Sequence, residues 1–425
     1  METSIHAIAC NKLLILFATI AITGIICSKG SELINIPDVV LFLIVGIFLG
    51  PSMLNIVDIS QFQLENQLIL TFGSAFILYL GGKEVSLKVL KNVKVTVILM
   101  ASLGVVISTF LLAKFINLSF EISFMTCLLA GSIVASTDPA TIVPIFNQVK
   151  IDEKVKQTVI SESALNDATG AILTVGILSI IQGGNFSLQS NIYSLFMMII
   201  IGVVIGTLTG LTLLFLVNDN PKGIFQEYTP IVSILSVIIA YELSTYLGGS
   251  GYMSCFIVGL ITGNKRNFKI WLSQKHYDAD QNVAETLGTI CRMCIFIILG
   301  SQVQLDTLFK YFVPSLLTVL AFIFIVRPIT VLACTLVDRR AKWNKNQILF
   351  MMWVRETGVI PAALCGIITA MNLPGSDIIS SIVFMTILIT LILQGSTTKI
   401  VARKLNLLEE DGEEEIKTIE EKMIK

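Results

Sequence analysis

Thirteen apolar stretches take up most of this 425-residue chain, beginning near Leu13, Pro37, Gln67, Val93, Ile122, Val155, Ile192, Tyr228, Gly251, Glu285, Val313, Gln347 and Ile378. A helix needs roughly 17–25 apolar residues to cross the hydrocarbon layer of a bilayer. Inside that layer every backbone N–H and C=O must be satisfied within the protein. The pattern therefore predicts an all-α polytopic membrane protein of about 13 transmembrane helices. The ninth stretch, about Gly251 to Gly263, is short. Composition agrees: the chain is 54% hydrophobic and 14% charged, with a mean hydropathy of +0.83. These values lie far from those of a soluble domain.

Charge placement orients the chain. The net charge is -1, but the basic residues are unevenly spread. One set of loops carries Lys29, Lys83, Lys88, Lys91, Lys94, Lys150, Lys154, Lys156, Lys222, Lys265, Arg266, Lys269, Lys275, Arg339, Arg340, Lys342, Lys345 and the basic residues of the C-terminal tail. The opposite loops carry Lys12, Lys114 and Lys310, and Arg292, Arg327 and Arg355 fall inside spans. By the positive-inside rule the C-terminus is cytoplasmic and the N-terminus outside, with the plasma membrane as the expected home. The first stretch, about Leu13 to Cys27, lacks a small-x-small cleavage site and reads as a retained span. After residue 405 the chain turns acidic (Glu409, Glu410, Asp411, Glu413, Glu414, Glu415, Glu420, Glu421) and reads as a solvated cytoplasmic tail.

Several chemistries drop out. The eight cysteines are scattered through apolar segments, where a free thiol acts as a small hydrophobe, and Cys291 and Cys294 read as helix filler. Only His6 and His276 exist, so histidine-based catalysis or metal binding is excluded. No phosphate-binding loop is present. The chain reads as a non-enzyme that needs no cofactor.

What remains is a set of acids inside the membrane. Asp138, in Ser136-Thr137-Asp138-Pro139-Ala140-Thr141, lies on the fifth span; Glu162 and Asp167, in Ser161-Glu162-Ser163-Ala164-Leu165-Asn166-Asp167, lie on the sixth. Intramembrane acids are expensive and mark function by default. Pro139 has no N–H to give the carbonyl of Ala135, so the fifth helix should open beside Asp138. At 100° per residue, Glu162, Ser163, Asn166 and Asp167 share an arc of about 140° on the sixth helix. Carboxylates, hydroxyls and freed carbonyls suit a small hard cation such as sodium. Two bare carboxylates would repel, so a cation or protons must neutralise them.

A second interrupted segment, Arg355-Glu356-Thr357-Gly358-Val359-Ile360-Pro361, lies in the twelfth span. Spans five and twelve are seven apart and so run in opposite directions. Paired broken helices of opposite direction point to inverted repeats with a substrate site at their crossing. Arg355 and Glu356 read either as a local pair or as support for that site.

The chain resembles the NhaP-type sodium/proton antiporters, relatives of the animal sodium/proton exchangers. The resemblance runs from Ile36-Pro37, Gly46 and Gly50-Pro51, through Thr137-Asp138-Pro139-Ala140-Thr141 and Glu162-Ser163 with Asn166-Asp167. It continues through Gly249-Ser250-Gly251, Gly259-Leu260, Gly263-Asn264, Arg292 with Phe296 and Leu299-Gly300, Arg327-Pro328 and Gly358-Val359-Ile360-Pro361. It implies a cation held by the Thr137 carbonyl, Asp138, Ser163 and Asp167, with Glu162 behind through water and Asp167 as proton carrier. Sodium, or lithium, would be transported cargo on Asp138, Ser163 and Asp167. Arg327 resembles the family arginine that faces Glu162 and Asn166. Arg292, Arg355 and Glu356 are expected in supporting positions. The resemblance also implies a homodimer. Residues 1–404 would form the antiporter domain, with core spans about 93–182 and 313–400 and dimerisation spans about 13–82 and 228–308; residues 405–425 would be the tail.

Two departures from the family pattern stand out. Thr357 occupies the place before the twelfth-span glycine where relatives often have arginine, and Leu80-Gly81-Gly82 lacks an acidic residue before the glycine pair. Where related electrogenic antiporters carry two adjacent aspartates, this chain has Asn166-Asp167, which implies electroneutral 1:1 exchange. The expected mechanism is alternating access, with sodium and proton competing for Asp167. A potassium/proton antiporter of the same fold and, less so, a passive cation channel are the alternatives. An intramembrane aspartyl protease would need Gly-x-Gly-Asp, which neither Asp138 nor Asp167 provides.

Overall fold

The computed structural model describes residues 2–34, 37–58, 62–137, 142, 146, 151–183, 188–219, 223–268, 272–371 and 373–408. Among these residues the architecture is helical, and the β pairing is an isolated bridge between Ile151 and Leu408. Eight helical stretches are long and apolar enough to cross a membrane: Cys10–Ile34, Leu87–Ser119, Glu153–Ile181, Phe196–Val217, Gln226–Tyr246, Gln274–Ser301, Phe312–Thr335 and Ser376–Lys404. Gln63–Glu84, and the shorter apolar helices Asp38–Leu49, Phe124–Val134 and Gly251–Gly263, supply four more. The remaining span, the twelfth, is two half-helices, Lys345–Trp353 and Val359–Ala370. Each of the thirteen stretches read from hydropathy thus falls on helix. Outward-facing Leu14, Ile15, Ile22, Ile25 and Ile26 are all more than half exposed, as suits side chains solvated by lipid. The molecule is a multi-pass membrane protein.

Glycines set the closest helix contacts. A Cβ on Gly259 or Gly263 would collide with the carbonyl oxygens of Tyr79 and Lys83, so the short Gly251–Gly263 helix lies backbone to backbone on Gln63–Glu84. Gly46 and Gly300 do the same for Asp38–Leu49 against Gln274–Ser301. Small residues at such crossings are how membrane helices gain dispersion contact without a hydrophobic driving force.

Among the described residues, three helices widen into π turns: Met100–Gly104 in the fourth span, Phe322–Val326 in the eleventh and Thr390–Gly395 in the last. The fourth and eleventh spans are seven apart, the same interval that separates the two interrupted spans. Ser108 and Thr330 each follow the end of their π turn by four residues, and their hydroxyls meet at 3.1 Å. That contact pairs equivalent positions of two oppositely directed segments, the geometry expected of inverted repeats.

On the lysine-rich side, Asp152 caps the Glu153–Ile181 helix by accepting from Val155 N–H at 3.0 Å. Its own N–H donates to the Leu407 carbonyl at 2.8 Å, and Asn346 Nδ2 donates to the Leu405 carbonyl at 2.9 Å. Residues 405–408, assigned from sequence to the tail, therefore pack on the end of the sixth span. The acidic residues from Glu409 onward lie outside the described residues.

Candidate ion-binding site

The fifth span closes its helix at Val134 and continues without helical structure through Thr137. Asp138, Pro139, Ala140 and Thr141 lie outside the described residues. The Ala135 carbonyl, which a regular helix would pair with the N–H of residue 139, accepts instead from Arg355 Nη2. A guanidinium from the second break thus bonds the carbonyl left free at the first. The two interruptions meet.

Thr137 anchors the first break to the sixth span. Its N–H donates to Asn166 Oδ1 at 3.2 Å, and its Oγ1 accepts from Asn166 Nδ2 at 2.6 Å while donating to Ser163 Oγ at 2.8 Å. All three residues are buried. The i, i+3 spacing of Ser163 and Asn166 puts both on one face of the Glu153–Ile181 helix, where a single threonine can bridge them. Asp167 belongs to that helix; its side chain lies outside what the structure describes.

Glu162 is held from the eleventh span. Arg327 Nη1 donates to Oε1 at 2.6 Å and Nη2 to Oε2 at 3.0 Å, with the two side chains only 2% and 3% exposed. Such a fork-to-carboxylate pair is the strong form of a charge-assisted hydrogen bond. Arg327 Nε also donates to the Met351 carbonyl at 3.1 Å, and Nη2 to the Val354 carbonyl at 3.4 Å. Those carbonyls lie at the end of the first half-helix of the twelfth span, so one arginine joins three spans. Asn166 turns away from it, to Thr137.

Arg355 is equally buried but differently used. Besides the Ala135 carbonyl it reaches Ser108 Oγ at 3.4 Å, and its guanidinium lies 4.5 Å from the centre of the Phe322 ring, on the second π turn. Among the described residues it forms no ion pair with Glu356, which sets aside the local-pair reading. Glu356 is fully buried and neither carboxylate oxygen has a hydrogen-bond partner. Thr357 N–H donates to Thr390 Oγ1 at 3.3 Å.

Arg292 is not among the residues brought together. It sits 3.9 Å from Asp38 and donates to Thr289 Oγ1 at 3.1 Å, in the wall of a separate cavity of about 980 Å³ lined by Tyr79, Lys83, Lys265 and Asp280. Conversely, Ser108, Phe322 and Thr330 join the cluster without having been singled out in the sequence. The seven-span interval that pairs the interrupted helices was the signal that could have paired Ser108 with Thr330.

Taken together, the described side chains form a buried polar cluster where two broken helices meet, with one carboxylate neutralised by a fixed arginine. Comparison with known proteins points the same way. The chain is 28% identical over 418 residues to the probable Na(+)/H(+) antiporter 2 of Methanocaldococcus jannaschii, covering 90% of this chain and 94% of that one. It is 26% identical over 400 residues to the K(+)/H(+) antiporter NhaP2 of Shewanella oneidensis, covering 92% and 67%. The solved structure of the sodium proton antiporter MjNhaP1 from Methanocaldococcus jannaschii at pH 8 superposes with a TM-score of 0.75 at 27% identity, covering 93% of this chain and 99% of that one. The family model described as sodium/hydrogen exchanger, transmembrane, matches residues 15–404, and the chain belongs to that family.

Proposed function

We propose that this chain exchanges sodium for protons across the cell membrane by alternating access, with Asp167 as the carrier for which the two ions compete. The observation that supports this reading is the Thr137 bridge to Ser163 and Asn166, which fastens the non-helical end of the fifth span, next in sequence to Asp138, to the sixth span. The Arg327 fork gives Glu162 a fixed counter-charge. The acids left for cargo are then Asp138 and Asp167, with the Thr137 carbonyl and Ser163 completing the ligand set and Glu162 behind them. No cofactor takes part. Spans about 93–182 and 313–400 form the moving core, and spans about 13–82 and 228–308 the dimerisation scaffold of a homodimer. The N-terminus lies outside and the C-terminus inside.

In proteoliposomes loaded with a pH-sensitive dye, sodium addition should drive proton movement, and Asp167→Asn should abolish it while leaving the protein folded. Full transport by that variant would remove Asp167 as carrier. A second reading, potassium in place of sodium, is favoured by one observation: relatives at 26% identity are K(+)/H(+) antiporters. The same assay with potassium separates the two, since the cation that drives the dye response is the substrate.

A further inference from the structure

The second break holds an acid that the exchange cycle does not use. Glu356 lies between Arg355 and Thr357 with no exposed surface, and neither of its oxygens accepts a hydrogen bond. The charged groups around it are committed elsewhere. Arg355 is bound to the Ala135 carbonyl and Ser108, and Arg327 to Glu162, Met351 and Val354. Two further buried oxygens near this break also lack partners, Thr357 Oγ1 and Gln394 Oε1. Both ends of the break are tied to the same wide turn: Gln394 Nε2 donates to the Trp353 carbonyl at 2.5 Å and Thr357 N–H to Thr390 Oγ1 at 3.3 Å. In sequence, Glu356 lies between those two ties.

Burial decides its state. Ionised, Glu356 would hold a full negative charge with no exposed surface and no side-chain donor among the described residues. A buried carboxylate without a cation or donors is strongly disfavoured. One proton on Glu356 removes that charge. Sodium would need a shell of about six oxygens, and here only one charged group is on offer. We propose that Glu356 carries a resident proton, one that stays bound throughout the cycle and keeps the second break electrically neutral apart from Arg355. The proton carried in exchange is then the one on Asp167 alone. Only that consequence rests on the exchanger reading; the protonation itself does not.

Infrared spectroscopy of the full-length protein in lipid reads this directly through the carbonyl stretch of a protonated carboxylic acid. Wild type should show a band that Glu356→Gln removes and that saturating sodium leaves in place. Glu356→Gln should leave the unfolding temperature in detergent unchanged, because an amide matches the neutral acid in charge and shape and keeps both a donor and an acceptor. If that variant fails to fold, Glu356→Asp supplies the assignment, since a shorter acid at the same place should keep the band but move it. Absence of any such band, or its loss on sodium binding, overturns the proposal. Failure of wild type itself to exchange ions, with the band present, would count against the exchanger reading and leave the resident proton standing.

Discussion

At the scale of single residues, the cluster depends on two arginines with different tasks. Arg327 gives its donors to Glu162, Met351 and Val354, so removing it strands a buried carboxylate and two carbonyls together. Breaking a buried pair from one side typically costs about 3–5 kcal/mol. Arg327→Ala should therefore lower the unfolding temperature in detergent and abolish exchange, and Glu162→Gln in the same chain should restore part of the stability. Unchanged melting of Arg327→Ala would mean the pair contributes nothing net. Arg327→Lys should not rescue, because an ammonium cannot make the paired fork. The sequence placed Glu162, Ser163 and Asn166 on one face by helical spacing alone. It could not say where Arg355 points. Adjacent Arg-Glu letters suggest a local pair, and only the three-dimensional crossing shows that the Ala135 carbonyl lies within reach of Arg355.

At the scale of elements, the spans were legible because bilayer thickness imposes a length and an apolarity that few other constraints mimic. The π turns were not. Met100-Ala101-Ser102-Leu103-Gly104 and Phe322-Ile323-Phe324-Ile325-Val326 contain no proline and no charge to mark them. Each inserts one extra residue into its helix; Ser108 and Thr330 meet just downstream of the two turns, and the Phe322 ring that opens the second meets Arg355. Deleting Leu103 should restore a regular turn and rotate the downstream half of the helix by about 100° relative to the upstream half. Ser108 would leave both Thr330 and Arg355. Exchange measured in vesicles should fall at least about tenfold even where the deletion variant still runs as a monodisperse species, since a misplaced site residue costs roughly two orders of magnitude in comparable settings. Normal transport by that variant would show the wide turn to be incidental.

At the scale of the whole molecule, two oppositely directed segments cross and share their charges, so the charge moved per cycle is a property of the crossing and not of any one residue. Glu162 is balanced by Arg327. Asn166 is an amide engaged at both ends by Thr137, and an amide takes up no proton in the working pH range. In the proposed mechanism, with Glu356 holding its proton, one proton leaves and one sodium ion arrives at Asp167. Turnover should then move no net charge, and its rate should follow the two ion gradients without regard to membrane potential. Imposing a potassium diffusion potential of either sign with valinomycin across proteoliposomes, and following internal pH after sodium addition, tests this. Equal initial rates at both signs fit 1:1 exchange. A rate that rises with one sign and falls with the other would mean that a second titrating group travels with the cargo. Repeating the measurement on Asn166→Asp supplies the positive control: a new acid at that position adds a group able to carry a second proton, and the variant should acquire the voltage dependence that the natural amide withholds.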